Sequence, residues 1–464
     1  MVKVLEGVID VRVRNRAGID DMQFGFRPGR GTTDAIFVVR QIQEQFLAKK
    51  RELWFAFVDL EKAFDRVPRD VVWWALRHVG VEEWIINVIR SMYEGVTTAV
   101  KLRNCESQEF DVKVGVHQGS VLSPLLFIIV MQALSNNFKA GLPWELLYAD
   151  DLILVAESEE KLREKIEIWK EGIEEKGLRV NISKTKVMKC RVVKGQAEDS
   201  GKYPCGVCRK GVGRNSIQCT VCKKWVHKRC SGLKGNLQKV VDFECKKCAE
   251  PVESVELKLE EKSEFKLSSG VALECVDKFC YLGDMIGRGG GVEEAVRNRV
   301  RCAWCKFREL YPLLAMRGFP LKLKGKIYKA CVQSVLLYGS ETWATKVEDM
   351  NKLERTERSM MRMMCDVSVK DRKSSQVIAS WLGIEPVSIL VKRGRLRWFG
   401  HVERKDKEDW VSACRDMKVE GSKDRGRGRK TWMECIVSDM KSFGLRRGDA
   451  EIVKYGKIGL LETI

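Results

Sequence analysis

The chain has 464 residues, of which 44% are hydrophobic and 32% charged, with 84 Lys+Arg against 64 Asp+Glu and a net charge of +20. That balance excludes a wholly disordered chain, a collagen and a small disulfide scaffold, and the length suggests about three to four domains. So large an excess of cations on a folded chain points to a polyanionic partner, nucleic acid first, although an anionic membrane would attract it as well. Residues 1–20 alternate charged and apolar positions and lack the apolar core of a signal peptide. Residues 29–33 (GRGTT) read as a turn opening a helix, on which Ile36, Val39, Ile42 and Phe46 recur at helical spacing. Residues 53–60 (LWFAFVDL) read as a buried strand, and amphipathic helices are predicted over 71–78 and 84–92. The longest apolar run, 121–134, is interrupted by Ser123, Pro124 and Gln132. It falls short of the ~20 residues a membrane span needs, so no membrane partner is expected.

Residues 146–155 (LLYADDLILV) read as two short strands around a polar turn, and 161–176 as a charged helix with Leu162, Ile166 and Ile173 on its apolar stripe. Residues 194–204 are small and polar, which is linker chemistry. A cysteine-dense block fills 205–248, and 249–270 reads as a charged linker. From Phe279 onward apolar and basic residues interleave in a pattern read as helical. The chain is expected inside the cell. Its 17 cysteines are then metal ligands and core residues rather than disulfides.

Asp59 ends one apolar strand, and Asp150 and Asp151 sit at the tip of an apolar hairpin. A carboxylate in such surroundings is usually paired or bound to a cation. Converging, the three would form an all-oxygen site of the kind Mg2+ prefers, and two such ions can drive an in-line phosphoryl displacement. Asp is also an ordinary turn residue, so the hairpin alone leaves both readings open.

Five blocks decide between them: QFGFRPGRGTTDA at 23–35, AFVDLEKAFDRVP at 56–68, GVHQGSVLSPLLF at 115–127, LLYADDLILVAES at 146–158 and GLRVNISKTKVM at 177–188. FCYLGD follows at 279–284. In this order they resemble the reverse transcriptases of non-LTR (LINE-type) retrotransposons, over about residues 20–190 and again from about 275 to near the C-terminus. The resemblance implies an α+β fold: a right-hand polymerase palm with partial fingers and a helical thumb, an inserted two-zinc PHD-like module and a basic helical C-terminal region. The implied boundaries are 1–50 for a fingers remnant, 51–193 for the palm, 194–204 for a linker and 205–248 for the zinc module. A charged linker at 249–270, primer-grip and thumb-like helices at 271–345 and the basic region at 346–464 complete the chain.

The implied activity is RNA-directed DNA polymerisation with two Mg2+ ions, using dNTPs, an RNA template and a DNA primer or target. Asp59, Asp150 and Asp151 resemble the metal-binding catalytic aspartates. Phe64 matches the bulky ring under the incoming sugar, which would clash with a ribose 2′-hydroxyl; otherwise it is core. Gln118 and Gly119 resemble the block along the template and incoming nucleotide. Lys184 or Lys186 would stand near the leaving pyrophosphate, or is a solvated charge. Arg27 and Arg30 would meet template or primer phosphates. Tyr281 and Gly283 would hold the primer terminus. Family members carry an upstream endonuclease and a fingers block with a triphosphate-binding arginine, and neither is found in this sequence. An N-terminally truncated chain is therefore expected. The alternative is a catalytically weak or dead fragment that binds nucleic acid or chromatin through its zinc finger and basic C-terminal region.

Four pairs at x2 spacing, Cys205 and Cys208, Cys219 and Cys222, His227 and Cys230, Cys245 and Cys248, supply ligands for two Zn2+ ions. So small a block needs metal to fold. Their order resembles a PHD finger, which implies Cys205, Cys208, His227 and Cys230 on one zinc and Cys219, Cys222, Cys245 and Cys248 on the other. Trp225 matches one wall of the aromatic cage of histone-tail readers. Nucleic-acid binding through the neighbouring cations and a purely structural or protein-docking role stand level with that reading. Residues 394–404 (GRLRWFGHVER) either track nucleic acid or bury Trp398 and Phe399 in a helical core. The nucleus is the expected location, with the cytoplasm as alternative.

Overall fold

The computed structural model describes residues 2–103, 105–140, 144–191, 264–421 and 428–446, and in the cysteine block residues 205, 207–208, 212, 216–222, 224–233, 237, 240, 242–245 and 248. The linker at 194–204, the charged segment through 263 and residues 425–427 of the basic tract lie outside the described residues. The chain forms two compact units, Met1–Val192 with Glu264–Ile464, and Val193–Ser263.

In the first unit, helices α1 (Val2–Arg16) and α2 (Thr32–Ala48) precede strand β1 (Leu53–Val58). Helices α3 (Ala63–Arg66), α4 (Arg69–His78) and α5 (Glu83–Ser91) follow. Short strands β2 (Thr97–Thr98), β3 (Lys101–Leu102), β4 (Cys105–Glu106) and β5 (Phe110–Asp111) form an exposed arm. Next come α6 (Ser123–Ser135), β6 (Glu145–Tyr148), β7 (Asp151–Ala156), α7 (Glu159–Glu175) and β8 (Lys186–Cys190). Every residue of β1 is buried, as its unbroken apolar run requires, and β1 pairs antiparallel with β7 on one side and β8 on the other. The α7 helix starts where the Ser158 hydroxyl accepts from the Lys161 N–H, and it lays Leu162, Ile166, Trp169 and Ile173 onto β1 and β7. The apolar run beginning at Val121 becomes α6, buried on nearly all sides and packed on α4 and α7. No described helix is long and apolar enough to cross a membrane.

Two segments differ from the sequence reading. Residues 264–266, read as the end of a linker, are strand β11 (Glu264–Lys266), which with β12 (Ala272–Cys275) extends the sheet to the order β11-β12-β8-β1-β7-β6. Its charged composition hides a single anchor: Phe265 is buried beside Trp54, at 6.1 Å between ring centroids. Residues 279–287, read as helical, form the hairpin β13 (Lys278–Tyr281) and β14 (Asp284–Gly287). A left-handed Leu282-Gly283 turn, with φ of 44° and 81°, closes it and precludes a helix.

The helices Glu293–Leu314, Leu321–Tyr328, Val347–Met364 and Ser375–Leu382 enclose a second core around Phe307, Tyr328, Trp343 and Met360. The helices Val387–Glu403, Trp410–Asp416 and Trp432–Phe443 return to the sheet's own core. Phe399 is buried there, and Trp398 meets Phe37 edge to face at 5.8 Å. The 394–404 segment is therefore a packed helix, the second of its two sequence readings.

In the second unit, β9 (Ser216–Gln218) pairs antiparallel with β10 (Trp225–His227), followed by α8 (Lys228–Ser231). Its small core holds Ile217, Val226 and Phe243 among Cys205, Cys219 and Cys245.

Candidate active site

Strand register sets two of the three aspartates side by side. In the β1–β7 ladder Val58 faces Leu152, so one more step sets Asp59 opposite Asp151, on one face of the sheet. Tyr148 pairs with Asp151 across the β6–β7 hairpin, which leaves Ala149 and Asp150 as its turn. Ala149 takes a φ of 58° that an L-residue adopts only when held. The hold is Gln23: its Oε1 accepts from the Ala149 N–H at 2.9 Å and from the Gly25 N–H at 2.8 Å. Gly25 is there because a Cβ would lie 2.5 Å from the Ala149 nitrogen. The sequence reading missed Gln23 and Gly25 as supports of the aspartate turn. The signal was present in the QFG block, but its contact with residues 148–149 is long-range.

Asp59 is fixed through its backbone. Its N–H donates to Thr185 Oγ1 at 3.3 Å and its carbonyl accepts from the Asn181 N–H at 2.8 Å. Its Oδ2 is buried without a hydrogen bond, and the Lys184 ammonium stands 3.5 Å away. Burial, then the charges of Asp150 and Asp59, pushes Asp151 up to about 6. Burial also raises Asp150, with Asp59 adding to it and Lys184 opposing. An open groove of about 320 Å³ is lined by Phe57, Asp59, Asp151, Lys184, Lys186 and Tyr281, among others. An Asp59 oxygen whose nearest cation is the Lys184 ammonium, beside carboxylates raised by burial and by one another, is a donor set that a hard divalent ion would suit. The three carboxylates suit a hard divalent ion. Among the described residues, however, it is the two Cys/His sets that bring four ligand atoms within 4.8 Å of one another.

Phe64 stacks on Phe127 at 4.5 Å and meets Phe26 edge to face at 6.4 Å, so its half-buried ring is braced from two sides. Gln118 donates to Asp65 Oδ1 at 2.8 Å. Gly119 has φ of 80° and nothing within 4 Å of an added Cβ, so backbone conformation rather than protein packing calls for glycine. Tyr281 is buried with its hydroxyl lacking a partner, and Phe279 stacks on Phe57 at 4.1 Å. Lys186 pairs with Glu274 at 3.0 Å.

The two arginines of the Gly-rich turn are engaged internally. Arg27 donates to the Asp20 carbonyl and to Asp21 at 2.8 and 3.0 Å. Arg30 lies over the Phe24 ring and pairs with Asp21 at 2.7 Å and Asp409 at 3.0 Å, its side chain 7% exposed. Arg30 thus faces the C-terminal helices instead of a phosphate, because Asp409 supplies its counter-charge from a part of the chain 379 residues away.

The cysteine block gathers its ligands in the two interleaved sets, Cys205, Cys208, His227 and Cys230, and Cys219, Cys222, Cys245 and Cys248. Cys208 Sγ lies 3.4 Å from His227 Nδ1, and Cys245 Sγ 3.6 Å from Cys248 Sγ. Soft thiolates with one imidazole fit tetrahedral zinc.

The sequence model described as "Reverse transcriptase (RNA-dependent DNA polymerase)" matches residues 1–246. The chain is 27% identical over 192 residues to the Retrovirus-related Pol polyprotein from type-2 retrotransposable element R2DM of Drosophila melanogaster, covering 40% of this chain and 18% of that protein. It is 23% identical over 358 residues to the probable RNA-directed DNA polymerase from transposon BS of the same fly, covering 75% of this chain and 33% of that protein. It thus spans a third or less of the length of these relatives. Among solved structures, apo telomerase from Candida tropicalis aligns at a TM-score of 0.39 and 12% identity, over 99% of this chain and 60% of that one.

Proposed function

We propose, for a chain that belongs to the reverse transcriptase (RNA-dependent DNA polymerase) family, that it extends a DNA primer on an RNA template through the groove at Asp59, Asp150 and Asp151. The observation that carries this reading is the register that sets Asp59 opposite Asp151 beside the Asp150 turn. The sheet with its flanking helices serves as a polymerase palm. In the reaction the primer 3′-oxygen bonds to the α-phosphorus of a dNTP, the bond to pyrophosphate breaks and the hydroxyl proton passes to solvent water. Two Mg2+ ions held by the three aspartates would activate the hydroxyl and stabilise the leaving group. The protein's own contribution is position and charge. Lys184, beside Asp59, offers an ammonium to the leaving phosphates. The braced Phe64 ring excludes a ribose 2′-hydroxyl. Gln118 and Gly119 line the template side, and Tyr281 and Gly283 the primer side.

The test is Mg2+-dependent primer extension by the zinc-loaded chain on an RNA template. Asp150→Ala and Asp151→Ala are expected to abolish extension and to retain nucleic-acid binding. Extension unchanged in both variants rejects the reading.

We infer further that the cysteine block is a PHD-type finger folded on two Zn2+ ions, supported by its two interleaved ligand sets. Its partner is a histone tail if Trp225→Ala weakens binding to histone peptides, and nucleic acid or another protein if it does not. Nuclear location belongs to the same proposal and is tested by imaging the tagged chain.

A further inference from the structure

Away from the carboxylates, a partly buried polar cluster joins three stretches of the first unit that are distant in sequence. Its centre is Tyr338, directly after the Ser334–Leu337 helix and before Gly339, whose φ of 76° turns the chain. The Tyr338 hydroxyl donates to the Leu282 carbonyl at 2.8 Å, and its oxygen lies 3.1 Å from the Thr32 hydroxyl at the start of α2. Leu282 and Gly283 are the turn of the β13–β14 hairpin. A Cβ added at Gly283 would sit 3.3 Å from Arg299 Nη2 and 3.5 Å from the Tyr338 ring, and the Arg299 guanidinium covers that ring at 4.5 Å. Arg299 and Tyr338 therefore back the turn on the protein side, with Gly283 exposed to solvent on the other.

The second strand of the hairpin is held just as firmly. Asp284, wholly buried, accepts from Arg40 Nε at 3.1 Å and Nη2 at 2.6 Å, and from Trp343 Nε1 at 3.4 Å. Arg40 also donates to the Met285 and Gly291 carbonyls at 3.1 and 3.0 Å. All three donors meet on Oδ2, and a buried carboxylate oxygen held by two nitrogens of one guanidinium has little freedom to move. The same cluster thus touches α2 and the hairpin. None of Arg40, Asp284 and Tyr338 lines the groove, whereas the first strand of the hairpin delivers Phe279 and Tyr281 to it.

We propose that Tyr338 and the Arg40–Asp284 pair are positioning residues: they fix the 278–287 hairpin, and with it the primer terminus, at one setting relative to Asp150 and Asp151. The primer part of this inference rests on the polymerase reading. The hairpin part stands on the contacts alone.

Tyr338→Phe is the first test, because it keeps the ring and removes only the hydroxyl. In the zinc-loaded full chain, losing that hydrogen bond is expected to raise KM for primer–template about fivefold. KM for dNTP should stay within about twofold, since the aspartates and Phe64 are untouched. Extension from a mismatched 3′ end should gain relative to a matched one, which a general loss of stability would not produce. Hydrogen exchange supplies a readout independent of activity. Amides of 278–287 should exchange about fivefold faster in Tyr338→Phe, and those of β1 and β7 at the wild-type rate. Thr32→Val, which removes the α2 side of the contact, should move both readouts in the same direction. Unchanged exchange in the hairpin overturns the proposal. An active enzyme with an unmoved primer KM overturns the primer role alone. A wild-type chain that cannot extend any primer, yet has a loosened hairpin in Tyr338→Phe, overturns the polymerase reading and the primer role with it.

Discussion

Trp432→Ala separates a docked C-terminal helix from a loose basic tail. Trp432 opens the Trp432–Phe443 helix and is fully buried. Its ring meets Phe37 of α2 edge to face at 4.7 Å and lies 6.2 Å from Phe399, and its Nε1 donates to the Glu341 carbonyl at 2.8 Å. Truncating a buried Trp costs about 3–5 kcal/mol through lost transfer energy and the cavity left behind. The edge-to-face pair and the stranded Glu341 carbonyl move this site to the upper half of that range, roughly 4–5 kcal/mol. Val437→Ala on the same helix is the control, since Val437 is 62% exposed and should change stability by less than about 0.5 kcal/mol. Urea unfolding followed by far-UV circular dichroism, at fixed zinc, measures both. A loss below about 1 kcal/mol in Trp432→Ala would refute the shared core with α2.

Asp151→Asn reports on the desolvation and, after it, the repulsion that raise the Asp151 carboxyl in the groove. The folded pKa of Asp151 is about 6, above its ordinary 3.8, so the native state binds the proton more tightly than the unfolded chain. Metal-free stability should therefore fall as pH rises from about 4 through 6. The carboxyl is crowded by protein on the groove side, yet by accessible area Asp151 is an exposed residue, so solvent screening reduces the effect to about 1 kcal/mol. Metal-free Asp151→Asn should be more stable than wild type at pH 7 by that amount and lack the slope; identical thermal melts across pH would count against it. Phe64→Ala should lower the preference for dNTPs over rNTPs about tenfold or more in single-nucleotide extension, and undiminished selectivity removes Phe64 from that role. Metal analysis should find two zinc ions in the wild-type chain and one in Cys208→Ser, and equal contents would dismantle the assigned ligand sets.

The buried strand at 53–58, the Asp-Asp hairpin and the α7 helix could be read from the sequence because each is written in local pattern. The same holds for the cysteine ligands, whose spacing carries their chemistry. What escaped was decided by partners far along the chain. Arg30 looked free for phosphate until Asp409 was folded against it. Phe265 is one ring in a charged stretch, and only Trp54 across the sheet makes it an anchor. The 278–287 hairpin was masked by alternating small and apolar residues that serve either period, and its Leu282-Gly283 turn decided the matter. Arg40 and Tyr338 lie in none of the sequence blocks, and Gln23 lies in one whose contact with residues 148–149 is long-range, so their supporting contacts became visible only in three dimensions.

The edge of the main sheet has a consequence for engineering. Glu264 sits beside Glu274, and Glu274 beside Lys186, so the chain returns two strands across and four residues back from where it left at Cys190. At ~3.3 Å per residue and ~4.8 Å per strand, the gap between departure and return is roughly 16 Å. About six residues of flexible spacer would close it, so a chain with that spacer in place of the intervening segment is expected to keep β8 and β11 in the ladder.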